Sequence, residues 1–238
     1  MNKNRKIRKP VITRRIYQVV FFFVFFCLTV LFLKGCAPKE TVNISSEGKE
    51  IVCFGDSITM GYGVNKGEDY PSYLRKMVNL PVINAGVNGD TSTEALKRFQ
   101  KEVLDRKPLL VIIEFGGNDF VSKVPLKETI KNVEEMIKKA QVAGAMVAIA
   151  DVGTYIIMSD YSREFKILSD KYNTILLPNL LNGIFTNPSL KSDFIHPNAK
   201  GYQIVSHRVY RGISPYLNQN AMIRSLQKNK KSIPQGVF

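Results

Sequence analysis

The 238-residue chain is 45% hydrophobic and 23% charged, which excludes a disordered polymer and allows one sizeable domain plus an appendage. Its formal net charge of +14 gathers at the two ends: residues 1–40 carry nine Lys/Arg against one acid, residues 221–238 carry four against none, and residues 41–220 are left at +2. A body so nearly neutral, with no basic stripe interleaved with aromatics, excludes nucleic acid as a partner.

The first segment, residues 1–15, holds seven Lys/Arg and no acid. The run "IYQVVFFFVFFCLTVLFL" follows, residues 16–33, without a charge in 18 positions. As a helix it spans about 27 Å, near the roughly 30 Å of a bilayer core and beyond the roughly 7–15 residues of a signal-peptide core. The basic flank sets the N-terminus in the cytoplasm and everything after residue 34 outside, in the periplasm or at the cell surface. "LKGC", Leu33–Cys36, resembles the lipobox of bacterial lipoproteins, in which the cysteine is lipidated after cleavage. Gly35 and Ala37 fit that pattern; Lys34 does not. Residues 16–35 therefore read as an uncleaved transmembrane anchor, a lipoprotein signal modified at Cys36, or a simple cleaved signal. All three place the domain beyond the cytoplasmic membrane.

Residues 36–49 are polar and aperiodic, as in a linker. Five short apolar runs then recur: "EIVCF" (50–54), "PVINA" (81–85), "LLVIIEF" (109–115), "MVAIADV" (146–152) and "TILLPN" (174–179). Runs of this length, rich in Val and Ile and lacking polar alternation, suit strands buried on both faces. Helical stripes separate them. "TSTE" (91–94) reads as a capping box before Ala95, Leu96, Phe99 and Val103. Leu126, Ile130, Val133, Ile137 and Ala140 follow Pro125 and stop at Gly144. Phe165, Leu168 and Tyr172 form a third stripe, and Tyr202, Val205 and Val209 a fourth. This alternation predicts a three-layer α/β/α sandwich on a five-stranded parallel sheet over residues 50–220, with 221–238 as a disordered basic tail.

In such sheets ligands sit at the carboxyl ends of the strands. "GDSIT" (55–59) follows strand one and puts Ser57 near a helix start. "NAGVNGDTS" (84–92), after strand two, offers backbone N–H groups that an anion could meet. "GGND" (116–119), after strand three, adds an asparagine amide, and "DFIH" (193–196) follows strand five. Three residues make about one turn, so Asp193 can reach Nδ1 of His196. That carboxylate would hold the imidazole with Nε2 free to serve Ser57. Asp56 reads as a shaper of the turn, Asp90 and Asp119 as structural, His207 as solvent-facing and Cys53 as a small buried hydrophobe. Two histidines and one body cysteine leave no metal cluster, and no cofactor is expected.

The four blocks, in this order and spacing, resemble those of the SGNH or GDSL hydrolases over about residues 50–215, nearest the bacterial thioesterase/lysophospholipase and arylesterase branch. That resemblance implies the flavodoxin-like SGNH fold, with Ser57 as nucleophile, His196 as general base and Asp193 as its partner. It also implies an oxyanion hole of the Ser57 and Gly89 N–H groups and the Asn118 side chain, with Gly86 allowing close packing. The expected activity is hydrolysis of acyl (thio)esters, lysophospholipids or other lipid esters, by a membrane-tethered serine esterase. "GTYIIMSDYSREF" (153–165) is a candidate acyl groove. The alternatives are a carbohydrate O-acetylesterase of the cell envelope and a non-catalytic anchored binding protein.

Overall fold

Parallel strands with helices on both faces form the framework of the described residues. The computed structural model describes residues 18–24, 40–153 and 158–231. The chain divides into residues 1–39 and 40–238. In the first unit, residues 18–24 are helical with exposed side chains; the rest of the apolar run 16–33, and Cys36, lie outside the described residues. Among the described residues no helix is long and apolar enough to cross a membrane.

The second unit carries the sheet. Its strands are β1 (Ile51–Gly55), β2 (Val82–Gly86), β3 (Leu110–Glu114), β4 (Met146–Ala150) and β5 (Ile175–Leu177), in the spatial order β2-β1-β3-β4-β5. All pair in parallel: Ile51 faces Val82 on one side and Leu110 on the other, Leu110 faces Met146, and Ala148 faces Ile175. The helices are α1 (Ser57–Met60), α2 (Tyr70–Arg75), α3 (Ser92–Glu102), α4 (Gly117–Val121), α5 (Leu126–Val142), α6 (Ser159–Tyr172) and α7 (Ala199–Lys231).

Because successive strand residues point to opposite faces, each strand feeds two cores. Ile51, Cys53, Leu110, Ile112, Met146 and Ala148 pack with Tyr70 and Leu74 of α2 and Tyr202, Val205 and Val209 of α7. Val52, Phe54, Val111, Ile113, Val147 and Ile149 pack with the apolar stripes of α3, α5 and α6. The run lengths that predict strands and the stripes that predict helices are thus the two sides of the same burial. Helix α2 escapes the sequence reading because it is short; Asp69 caps it by accepting from the Ser72 N–H at 2.9 Å, with Pro71 in its first turn.

Two expectations at the ends are corrected. Residues 40–49 do not hang as a linker but lie on the domain. Thr41 Oγ1 donates to Asn173 O at 2.8 Å, and Asn43 Nδ2 donates to Gln141 O and Ala145 O, carbonyls at the end of α5. The expected disordered tail is helical as far as Lys231, because α7 continues through Pro215 and clamps that same segment. Asn220, 2% exposed, donates to Ile44 O and Ser46 O, and Arg224 donates to Gly48 O. Residues 232–238 lie outside the described ones.

Candidate active site

Four loops leave the carboxyl ends of the strands and meet at one edge. The first is the turn between β1 and α1. Gly55 has no room for a side chain, since a Cβ would sit 2.1 Å from Thr59 Oγ1 and 2.6 Å from Glu114 Oε2. Asp56 then caps α1, its Oδ1 accepting from the Ile58 N–H at 2.9 Å, which is the turn-shaping role its position suggested. Ser57 opens the helix, with its hydroxyl turned toward the arm that carries His196.

That arm is built to be rigid. Lys191 pairs with Pro197 in an antiparallel bridge, and the Ser192 N–H donates to His196 O at 2.9 Å. Asn198 ends it by accepting from the Gly201 N–H at 3.1 Å, an N-cap for α7. Within the arm Asp193 Oδ1 accepts from the backbone N–H groups of Ile195 (2.9 Å) and His196 (2.8 Å), and its Oδ2 lies 2.7 Å from His196 Nδ1. His196 Nε2 lies 3.0 Å from Ser57 Oγ. An ionised carboxylate only accepts, so Nδ1 carries the ring proton, Nε2 is free to accept, and the serine hydroxyl donates to it. Burial acts to raise the Asp193 pKa, but the three N–H bonds from His196 and Ile195 outweigh it and set the value at about 2. Lying below its unfolded value near 4, it contributes stability above that pH that is lost as the pH falls through about 2.

The other two loops join the turn that carries Ser57 through Asn118. Gly89 adopts φ +79° with nothing within 4 Å of where a Cβ would stand, so its backbone is bare on that side. Gly86 instead packs tightly, a Cβ there falling 2.2 Å from Met60 N. Asn118, on α4, donates from Nδ2 to Asp56 Oδ2 and to Asp90 O, both at 3.1 Å. The amide is therefore tied to both the Asp56–Ser57 turn and the Gly89–Asp90 turn. Asp119 is buried and structural: it accepts from the Ser92 N–H and hydroxyl and from Thr129 Oγ1. This corrects the capping-box reading, because Thr91 makes no side-chain cap bond and Asp119 satisfies the start of α3 in its place.

Sequence reasoning missed four residues of this edge. Tyr62 lies with its ring 4.5 Å from the His196 ring, and Tyr202 Oη donates to Tyr62 O at 3.2 Å, holding the loop after α1 against α7. Arg98 on α3 donates to Gly55 O, Ala85 O and the Asp90 carboxylate, tying the ends of β1 and β2 to the Gly89–Asp90 turn. Glu114, at the end of β3, is wholly buried beneath Asp56. Its one signal in the sequence was an acid inside an apolar strand run. Residues 154–157 of the candidate acyl groove lie outside the described residues; beyond them, Met158 and Tyr161 sit against Gly116, where a Cβ would meet Tyr161 at 3.0 Å.

The comparisons with known proteins agree with this fold. The model of the GDSL-like lipase/acylhydrolase family matches residues 53–204, the span from β1 into α7. Among curated relatives, Esterase TesA of Pseudomonas aeruginosa is 26% identical over 202 residues, 80% of this chain and 100% of its own length. The Escherichia coli K12 protein named Thioesterase 1/protease 1/lysophospholipase L1 is 22% identical over 182 residues, 72% of this chain and 86% of its own. The uncharacterised lipoprotein YqeF of Bacillus subtilis is 38% identical over 88 residues, 33% of this chain and 36% of its own. The crystal structure of TesA superposes with a TM-score of 0.67 at 26% identity, covering 71% of this chain and 99% of that one. With the fold and the family match in agreement, the chain belongs to the GDSL-like lipase/acylhydrolase family of SGNH hydrolases and is an ester hydrolase.

Proposed function

We propose that the chain is a membrane-tethered serine esterase that cleaves acyl (thio)esters through an acyl-enzyme on Ser57. The observation that carries this is the relay Ser57 Oγ to His196 Nε2 at 3.0 Å and His196 Nδ1 to Asp193 Oδ2 at 2.7 Å. His196 takes the serine proton as Oγ attacks the acyl carbonyl, then gives it to the departing alcohol or thiol. Water, deprotonated by the same nitrogen, releases the acid. The Ser57 and Gly89 N–H groups and the Asn118 amide receive the negative oxygen of each tetrahedral intermediate. Both Asn118 hydrogens are engaged at rest, so the oxyanion shares one of them with its resting acceptor.

The apolar character of the edge favours a fatty acyl group over an acetyl group. Exposed apolar side chains stand in the loops that carry the site: Tyr62 after the serine, Val87 before Gly89, Phe120 and Val121 after Asn118, and Phe194, 88% exposed, inside the histidine arm. Lysophospholipids and related lipid esters are the substrates this supports. On p-nitrophenyl esters, kcat/KM should rise from the acetate to the octanoate; a flat or falling series would contradict the lipid reading and favour an O-acetylesterase.

Tethering is supported by the uncharged run 16–33, the "LKGC" cysteine and the kinship with a lipoprotein. The full chain should stay with membranes through alkaline carbonate washing and leave in detergent. Release by carbonate alone would contradict the tether.

A further inference from the structure

We propose that Glu114 is a positioning residue of this site, holding the Asp56–Thr59 turn, and through it Ser57 and Asn118, as a protonated carboxyl. The proposal rests on the reading of Ser57 as nucleophile and adds a group that reading does not use.

The geometry carries it. Glu114 ends β3, in register with Gly55 of β1, and has no exposed surface. Its Oε2 accepts from Thr59 Oγ1 at 2.8 Å and from the Asp56 N–H at 3.3 Å, spanning the turn that presents Ser57. Its Oε1 is buried and, among the described residues, has no donor within reach. An ionised carboxylate would therefore be buried half-satisfied, which is costly. A proton changes the count. Glu114 then has an acceptor beside it, since it already accepts from the Asp56 N–H and the Asp56 carboxylate is the charge that bears on it most. Asp56 in turn accepts from Asn118 Nδ2 and the Ile58 N–H. One proton thus lets two buried carboxyls lie together, leaving Asp56 as the acceptor that orients both the serine turn and the asparagine amide.

The surroundings favour the neutral form of Glu114. Burial first, and the adjacent Asp56 charge second, push its pKa well above the usual carboxylate range, and burial pushes Asp56 up to about 6. Tyr70 of α2 lies 3.2 Å from Thr59 Oγ1 and, with Tyr202 of α7, faces Glu114; the buried Cys53 of β1 lies on the same side, and His196 and Asp119 act on Asp56. Over the pH range in which only the folded chain keeps this proton, folding binds a proton and stability falls as pH rises.

The test uses the full chain with Glu114→Gln, which copies a protonated carboxyl, and Glu114→Leu, which fills the space without polar atoms. If the proposal holds, Glu114→Gln keeps kcat within about threefold of the parent on a p-nitrophenyl ester at pH 7. Its melting temperature should also gain on the parent steadily from pH 5 to pH 8. Glu114→Leu should lower kcat by about 10²-fold with little change in KM, as expected when reacting groups are misplaced. Parallel melting curves for parent and Glu114→Gln, or a Glu114→Gln loss of kcat as large as that of Glu114→Leu, would overturn it. If Glu114→Leu does not fold, the Glu114→Gln comparison still decides. Covalent labelling of Ser57, tested separately with Ser57→Ala, shows whether the underlying nucleophile reading fails on its own.

Discussion

Ser57→Ala should lower kcat by about 10⁶-fold, and His196→Ala by a similar factor, because each removes the nucleophilic event itself. The reason lies in the two short contacts: Ser57 Oγ has His196 Nε2 at 3.0 Å as its proton acceptor, and that nitrogen is free because the ring proton sits on Nδ1, which donates to Asp193 Oδ2 at 2.7 Å. Groups that act as one unit do not contribute additively. The double variant Ser57→Ala/His196→Ala should therefore be no slower than either single one. Neither change should disturb the fold, since the arm is pinned by its own backbone bonds at Ser192 and by Asn198. Steady-state kinetics with melting temperatures checks this: a single variant with a tenth of parental kcat would mean that another group attacks the ester.

Asn118→Ala should lower kcat by about 10²–10³-fold, the range for loss of one side-chain donor to a tetrahedral oxyanion. KM should change far less, because the donated hydrogen matters most when the oxygen carries full charge. The resting contacts of Asn118 with Asp56 Oδ2 and Asp90 O add a second consequence. Alanine leaves the Asp56 carboxylate with one donor fewer while it remains buried, so some stability is lost as well. Asn118→Asp keeps the shape but offers no N–H₂ and adds a charge beside Asp56, so it should be no better than alanine. Unchanged kcat in Asn118→Ala would remove this residue from the oxyanion hole.

Much of this architecture is legible in the sequence for a simple reason. Strands buried on both faces have no polar residue to spare, so "IVCF", "LLVII" and "MVAIA" stand out as runs, with Gly55, Gly116 and Asp151 at or just beyond their ends. The site is legible because its parts sit at those turns. Asp193 and His196 are three residues apart, and Ser57 follows directly on Gly55 and Asp56. Supporting residues are less visible because their partners are distant in sequence. Arg98 reaches back 43 positions to Gly55 O, Glu114 reaches 55 to Thr59, and Tyr202 reaches 140 to Tyr62. No local pattern encodes such pairs. The ends were misjudged for the same reason: "TVNISSEG" is polar and aperiodic, yet Asn220 and Arg224, some 176 residues on, satisfy carbonyls within it.

The central claim, that Ser57 is an activated nucleophile, is tested most directly by covalent labelling. The full-length chain, in detergent, is treated with a fluorophosphonate and the modified peptide is located by mass spectrometry. The account predicts one adduct per chain, on Ser57, formed quickly in the parent, much more slowly in His196→Ala and not at all in Ser57→Ala. Folded parent protein that takes no label, or that carries it on another residue, would contradict it.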